Sequence, residues 1–206
     1  MQNERIPLII PSYEPDDRLI TLLQNLKSAG FTNIIVLDDG SGDAYQELFE
    51  QAEKEYGCTL LHHYRNMGKG RGLKDAFNYC LNTFPDMIGC VTADSDGQHV
   101  PEDIQKCMEE LEQHPDHLVM GCRKFSKDEV PWKSVYGNTI TKNVCKWLCG
   151  VSVSDTQTGL RAIPKAFMAE LLNVDGERFE FETNMLIASK GRYEISEVEI
   201  HTIDDS

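Results

Sequence analysis

No apolar run in this 206-residue chain approaches the roughly 20 residues that a membrane-spanning helix requires, so none is expected. The opening Met1-Gln2-Asn3-Glu4-Arg5-Ile6-Pro7 has no basic region followed by an apolar stretch. A secretory leader is therefore not expected, and the cytosol is the default location. Basic charge is scarce: Lys and Arg number 20 against 34 Asp and Glu, a formal net charge of -14. A phosphate backbone needs a broad basic surface, so nucleic acid is not an expected partner. The seven cysteines are scattered and odd in number, with no C-x-x-C pair, and no H-x-x-x-H spacing occurs. They read as reduced, buried and structural, not as a zinc site. Gly-x-Ser-x-Gly, G-x-x-x-x-G-K-[ST] and G-x-G-x-x-G are all missing. A nucleophile elbow, a P-loop and a nicotinamide dinucleotide site therefore lack support. Without repeats, low-complexity tracts or linkers, residues 1–206 read as a single domain.

What is present is a regular alternation. Ile6–Ile10, Asn33–Leu37, Cys58–His62, Met87–Thr92 and Leu118–Cys122 read as buried strands. Between them lie helical patterns: Leu19, Leu22, Leu23 and Leu26 closed by Gly30, then Tyr45–Tyr56, Leu73–Leu81, and a helix opened by Pro101. This order predicts an α/β fold with a mostly parallel sheet flanked by helices. Beyond Cys122 the pattern loosens into a polar loop to Pro131, a helix over Tyr136–Leu148 and the polar run Asp155–Arg161. Short helices at Lys165–Leu172 and Phe181–Ser189 and a strand at Tyr193–Ile200 complete the chain.

Ligands of open α/β sheets bind at the carboxyl ends of the strands. Ser12 and Glu14, Asp38 and Asp39, Asn66, and Asp94 and Asp96 fall there after successive strands. Asp94-Ser95-Asp96 sets two hard carboxylates two residues apart, suited to Mg2+ or Mn2+ sharing a diphosphate. Such a metal would act as a Lewis acid toward a departing nucleoside diphosphate. The same Asp-Ser-Asp-Gly string is also good turn chemistry. Asp38-Asp39-Gly40-Ser41 offers acceptors to a base and a ribose, or caps a strand-to-helix turn. Asn66-Met67-Gly68-Lys69-Gly70-Arg71-Gly72 reads either as backbone brought close to a phosphate at a helix start or as a basic turn. Arg123, Lys124, Lys127 and Lys133 form a second basic cluster, anion-binding or simply solvated. Asp155–Arg161 is too polar for a core strand and reads as a pre-organised loop at a site. Glu180 and Glu182 suit a helix start or catalysis. His62, His63 and His99 read as structural or surface residues.

Pro11-Ser12-Tyr13-Glu14, Asp38-Asp39-Gly40-Ser41, Asn66-x-Gly68-Lys69-Gly70, Asp94-x-Asp96-Gly97-Gln98-His99, Gly121-Cys122-Arg123 and Asp155–Arg161 occur in the order seen in family 2 glycosyltransferases. The chain resembles that family over nearly its whole length, and most of all its dolichyl- or polyprenyl-phosphate mannosyl- and glucosyltransferase branch. The resemblance implies a GT-A fold, a Rossmann-like sheet flanked by helices in one domain. It also implies inverting transfer of a hexose from a UDP- or GDP-sugar to a polyprenyl phosphate, with Mg2+ or Mn2+. Pro11, Tyr13, Glu14 and Asp39 would line the nucleotide pocket, and Asp38, Asn66, Lys69 and Gln98 belong to the motifs around the nucleotide-sugar. Asp94 would contact the ribose or diphosphate side, and Asp96 would carry the metal. Arg123 and Arg161 would receive the acceptor phosphate. A phosphate acceptor is already ionised; a hydroxyl acceptor would need a base, for which Asp155 or Glu182 is the candidate. A lipid acceptor implies work at the inner face of a membrane. Several relatives carry transmembrane helices that this chain lacks, and Cys122 stands where relatives often have a very small residue. A sugar nucleotidyltransferase is one alternative, although Pro11-Ser12-Tyr13-Glu14 occupies the place of its early G-x-G-[ST]-R loop. A catalytically silent nucleotide-sugar-binding module is the other.

Overall fold

The computed structural model describes residues 4–123 and 158–201. Its strands are β1 (Leu8–Ser12), β2 (Ile34–Asp38), β3 (Thr59–His62), β4 (Gly89–Thr92), β5 (His117–Arg123), β6 (Arg161–Pro164) and β7 (Glu194–Ile200). Its helices are α1 (Asp17–Ser28), α2 (Gln46–Tyr56), α3 (Lys69–Thr83), α4 (Pro101–Gln113), α5 (Lys165–Leu171) and α6 (Glu180–Ser189). The expected helix over residues 136–148 lies outside the described residues.

The strands form one sheet in the order β3-β2-β1-β4-β6-β5-β7. Its inner strands β1, β2 and β4 are largely apolar because helices cover both faces. Leu8, Ile10 and Val36 pack toward Leu22 of α1, Phe49 of α2 and Ile104 of α4. Ile9, Ile35 and Leu37 pack on the opposite side, toward Phe77 of α3, Phe167 of α5 and Phe181 of α6. Local chemistry sets the ends of the helices. Asp16 caps α1 by accepting the Arg18 N–H, and Gly30, at φ 87°, lets the chain turn out of that helix. Pro101 opens α4, where its missing N–H costs nothing. The described cysteines, Cys58, Cys80, Cys90, Cys107 and Cys122, are all buried and free. Burial pushes the thiols of Cys58, Cys80 and Cys107 up to about 12, so they stay protonated and behave as small hydrophobes.

β1 to β4 pair in parallel, as the alternation predicts, and β5 pairs in parallel with β7. β6 is the departure: it lies antiparallel between β4 and β5. The polar-loop reading of Asp155–Arg161 therefore fails at its last residue, because Arg161 opens a fully buried strand. Its four residues, Arg161-Ala162-Ile163-Pro164, begin with a charge and end with proline, so the apolar signal is too short to stand out.

From β1 the chain steps outward to β2 and β3, then returns to place β4 on the other side of β1. This reversal leaves a crevice beyond the carboxyl ends of β1 and β4, the usual binding position in such sheets. Among the described residues, no helix is long and apolar enough to cross a membrane.

Candidate active site

That crevice is a cavity of about 830 Å3. Of the residues singled out from the sequence, Pro11, Tyr13, Asp39, Asn66, Lys69, Asp94, Asp96 and Glu182 line it. Each arrives on a different support: Tyr13 follows β1, Asp39 follows β2, Asp94 and Asp96 follow β4, Lys69 begins α3, and Glu182 lies in the first turn of α6.

Asp39 is the anchor of the glycine-rich loop. Its Oδ1 accepts the Met67 N–H and its Oδ2 the Gly68 N–H, both at 2.8 Å. His63 Nδ1 lies 2.7 Å from Asp39 Oδ1, and His63 Nε2 lies 3.1 Å from Asp75 Oδ2. His63 thus behaves as the structural residue read from the sequence, with the added role of fixing a cavity acid. Part of the loop's backbone is thus held by the chain itself, and the Arg71 N–H goes to the Glu177 carbonyl at 2.9 Å. Its glycines serve close packing. A side chain at Gly68 or Gly70 would strike the backbone at Glu177 and Arg178, and one at Gly72 would strike Leu37. Packing accounts for these glycines, and Asn66 and Lys69 reach the cavity.

Lys69 Nζ bonds Asp94 Oδ1 at 2.7 Å and Glu182 Oε1 at 3.1 Å. Burial alone would lower this ammonium, but Asp94 and Glu182 together raise it above its ordinary value. Burial alone would raise the Asp94 carboxyl, yet the His99 imidazole and the Lys69 ammonium hold it well below the usual carboxylate range. The His99 Nε2 to Asp94 Oδ2 separation is 3.6 Å, an electrostatic contact longer than a hydrogen bond. Gly159 backs the same carboxylate, where any side chain would strike it, and the Gly159 carbonyl accepts the Thr92 hydroxyl at 2.9 Å.

Asp96 realises the turn reading with one oxygen: its Oδ1 accepts the Gln98 N–H at 3.0 Å. Among the described residues no bond is made to its Oδ2. Nor, among the described residues, do three His, Cys, Asp or Glu side chains come together as a metal cage. A Mg2+ bound through one or two carboxylates and substrate phosphates needs no such cage. Asp96, on the cavity wall with an oxygen to spare, fits that role better than Asp94, which Lys69 and His99 already share.

Other expected residues stand elsewhere. Asp38 accepts the Ser41 N–H at 2.8 Å and meets His62 Nδ1 at 3.0 Å, facing a second cavity of about 530 Å3. Glu14, at φ 47°, donates its backbone N–H to the Ser41 hydroxyl oxygen at 2.8 Å and is not on the main cavity's wall. Gln98 contributes the backbone N–H that holds Asp96. Arg161 is only 1% exposed. It donates to the Thr158 carbonyl at 3.1 Å and the Glu182 carbonyl at 2.7 Å, tying β6 to α6 from within. Arg123 ends β5 opposite Ile200, away from the cavity wall. Asp155 lies outside the described residues. Ser12, Leu37, Ser95, Arg178 and Phe179 also line the cavity. Arg178 and Phe179 were not anticipated; the available signal was a cation beside an aromatic just before a helix start, in a chain short of cations.

Sheet order, switch-point crevice and acids at successive strand tips define a doubly wound α/β protein with a polar ligand site. Residues 8–165 match the family model described as Glycosyl transferase family 2, and the chain belongs to that family. A dolichyl-phosphate N-acetylglucosaminyltransferase of Methanococcus voltae that uses UDP-N-acetylglucosamine is 30% identical, with 98% of this chain and 87% of the relative covered. An uncharacterized protein of Methanocaldococcus jannaschii is also 30% identical, over 98% of this chain and 83% of the relative. Polyprenol monophosphomannose synthase of Mycolicibacterium smegmatis is 24% identical, over 88% of this chain and 71% of its own length. Glucosyl-3-phosphoglycerate synthase from Mycobacterium tuberculosis, solved with Mn2+, UDP and phosphoglyceric acid, aligns at TM-score 0.74 with 16% identity. That alignment covers 98% of this chain and 71% of the other. The fold is the GT-A fold of such glycosyltransferases.

Proposed function

We propose that this family 2 glycosyltransferase moves a hexose from a UDP- or GDP-sugar to a polyprenyl phosphate, with inversion at the sugar's C1. The observation that carries the reading is the convergence of Asp39, Asp94, Asp96 and Lys69 on one cavity at the switch point. In support, relatives at modest identity are named as dolichyl-phosphate and polyprenol-phosphate glycosyltransferases.

Pro11, Tyr13 and Asn66 form the side of the crevice toward β1 and β2, where the nucleoside would lie. Asp39 acts there mainly through the backbone it holds. Lys69 holds Asp94 and Glu182 together, on the side of the cavity where the sugar and diphosphate would lie. Asp96, with Asp94 beside it, would hold Mg2+ or Mn2+. That ion, when bound, supplies neutralisation of charge on the diphosphate. An acceptor phosphate oxygen attacks C1 from the face opposite the diphosphate; the C1–O bond breaks and the nucleoside diphosphate departs with the electron pair. No proton need be removed from an ionised phosphate. With a hydroxyl acceptor, Glu182 on the cavity wall is the available base. The acceptor would be met at the inner face of a membrane.

The test is turnover of a panel of UDP- and GDP-sugars with polyprenyl phosphate, with and without Mg2+ or Mn2+. One nucleotide-sugar should be consumed in a metal-dependent manner, giving a glycosyl lipid of inverted anomeric configuration. Absence of binding and turnover across the panel would overturn the proposal. Binding without turnover would favour a silent nucleotide-sugar module, and pyrophosphate release from a nucleoside triphosphate would favour a nucleotidyltransferase.

A further inference from the structure

Among the described residues the cavity wall carries two cationic side chains, Lys69 and Arg178, but they differ in what compensates them. Lys69 is held between two carboxylates, at 2.7 and 3.1 Å. Arg178 makes its side-chain hydrogen bond to a neutral acceptor, from Nη1 to Asn66 Oδ1 at 3.1 Å, and forms no ion pair among the described residues. The nearby Glu180 spends its Oε1 on the Glu177 and Arg178 backbone N–H groups, at 3.0 and 3.2 Å.

Arg178 is also firmly mounted. The Glu177 carbonyl accepts the Arg71 N–H at 2.9 Å, and the Glu177 carboxylate meets Lys74 Nζ at 2.7 Å. Gly68 and Gly70 let the two loops close, since a side chain at either would strike the Glu177 backbone. An arginine on a fixed backbone, with one nitrogen held and no ion pair among the described residues, presents a preformed fork to an incoming phosphate. Next to it Phe179 also lines the cavity with 76% of its surface exposed, a large apolar face left in water.

We propose that Arg178 is a phosphate-recognising residue of the cavity and that Phe179 receives the carbon chain attached to that phosphate. The inference rests on the transferase reading and deepens it by assigning the recognition to particular residues. Both substrates of that reading carry phosphate. The apolar neighbour favours the acceptor, because a nucleoside diphosphate sugar has no apolar chain to lay on Phe179.

Farnesyl phosphate, farnesol and a UDP- or GDP-sugar with Mn2+ serve as calorimetric probes of the wild type, Arg178→Ala, Arg178→Lys and Phe179→Ser. Wild type should bind farnesyl phosphate at least tenfold more tightly than farnesol. Arg178→Ala should abolish that preference, Arg178→Lys should restore part of it, and Phe179→Ser should weaken both prenyl ligands alike. Phe179→Ser should change donor affinity less than twofold, and the Arg178 variants, which also release Asn66, should lower donor affinity less than they lower farnesyl phosphate affinity. If Arg178→Ala instead weakens the nucleotide-sugar and spares farnesyl phosphate, Arg178 reads the donor diphosphate and the assignment to the acceptor is overturned. If the variants bind every probe as the wild type does, or the wild type ignores the phosphate of farnesyl phosphate, the proposal fails outright. Farnesyl phosphate binding that depends on Arg178, in a protein binding no nucleotide-sugar, would overturn the transferase reading while leaving this one standing. Thermal unfolding of each variant checks that the fold is kept, and Arg178→Gln replaces Arg178→Ala if it is not.

Discussion

His63 and Asp39 lie 2.7 Å apart, and through that contact a buried imidazole sets the position of the loop leading to Lys69. The same imidazole reaches Asp75 at 3.1 Å, and Asp75 in turn takes Arg71 Nε at 2.9 Å. His63→Ala should therefore loosen Asp39 and the Met67–Gly68 backbone, costing about 1–3 kcal/mol of stability for the polar groups left unpaired. Donor affinity should fall with it. Asp75→Asn, which touches only the far end of the relay, should lower donor affinity less. Equal donor affinity in wild type and His63→Ala, measured by calorimetry, would remove His63 from this positioning role.

Asp96 combines a turn with a metal-binding oxygen, and the two can be separated. Asp96→Asn keeps an oxygen for the Gln98 N–H and removes the charge; Asp96→Ala removes both. Asn should leave thermal stability within about 0.5 kcal/mol, as surface substitutions usually do. It should nevertheless abolish Mn2+-dependent donor binding. Metal-dependent binding that survives in Asp96→Asn would take Asp96 out of the metal site.

Much of the fold was legible because its signals are local. Gly30, Pro101 and the alternation of apolar runs through Leu118–Cys122 each reflect chemistry within a few residues. The site was legible to the same depth: Asp39, Asp94 and Asp96 stand at strand ends, where sheet topology alone brings them together. What escaped depends on long-range partners. Arg161 reads as a polar loop residue until the carbonyls of Thr158 and Glu182 are seen to receive it. The packed backbone at Glu177 that requires glycine at Gly68 and Gly70 has no local signal in the sequence. Arg178 lies far from Asn66 in sequence, and no spacing rule joins them.

The Lys69–Asp94 pair sets a pH window. Asp94 has its folded carboxyl held below the ordinary value of about 3.9. Its stabilising contribution is therefore present above that pH and lost as pH falls through the folded value. Lys69 is held above its ordinary value of about 10.4, so its contribution is present below that pH and lost as pH rises through the folded value. Between about pH 4 and 10 both charges persist. In Lys69→Met the Asp94 carboxyl loses its counterion and titrates higher, so the acid limb of donor binding should move to higher pH. An unmoved limb would show that another group governs it.

Arg161→Met tests whether the buried guanidinium is structural. The Thr158 and Glu182 carbonyls would lose their donor, at a cost of about 1–3 kcal/mol each. The variant should melt earlier and show a reduced kcat through displacement of Glu182, with little change in acceptor KM. A selective rise in acceptor KM at unchanged stability would return Arg161 to a role in acceptor binding.

The reversed direction of β6 has a consequence for how this scaffold can diversify. Because β6 opposes β5, the chain leaves the sheet after Arg123 and re-enters it at Arg161 from the same end, the one on which the crevice opens. Arg123 and Arg161 therefore stand at one end of the sheet, and a change in the length of chain between them leaves the pairing of β6 with β4 and β5 untouched.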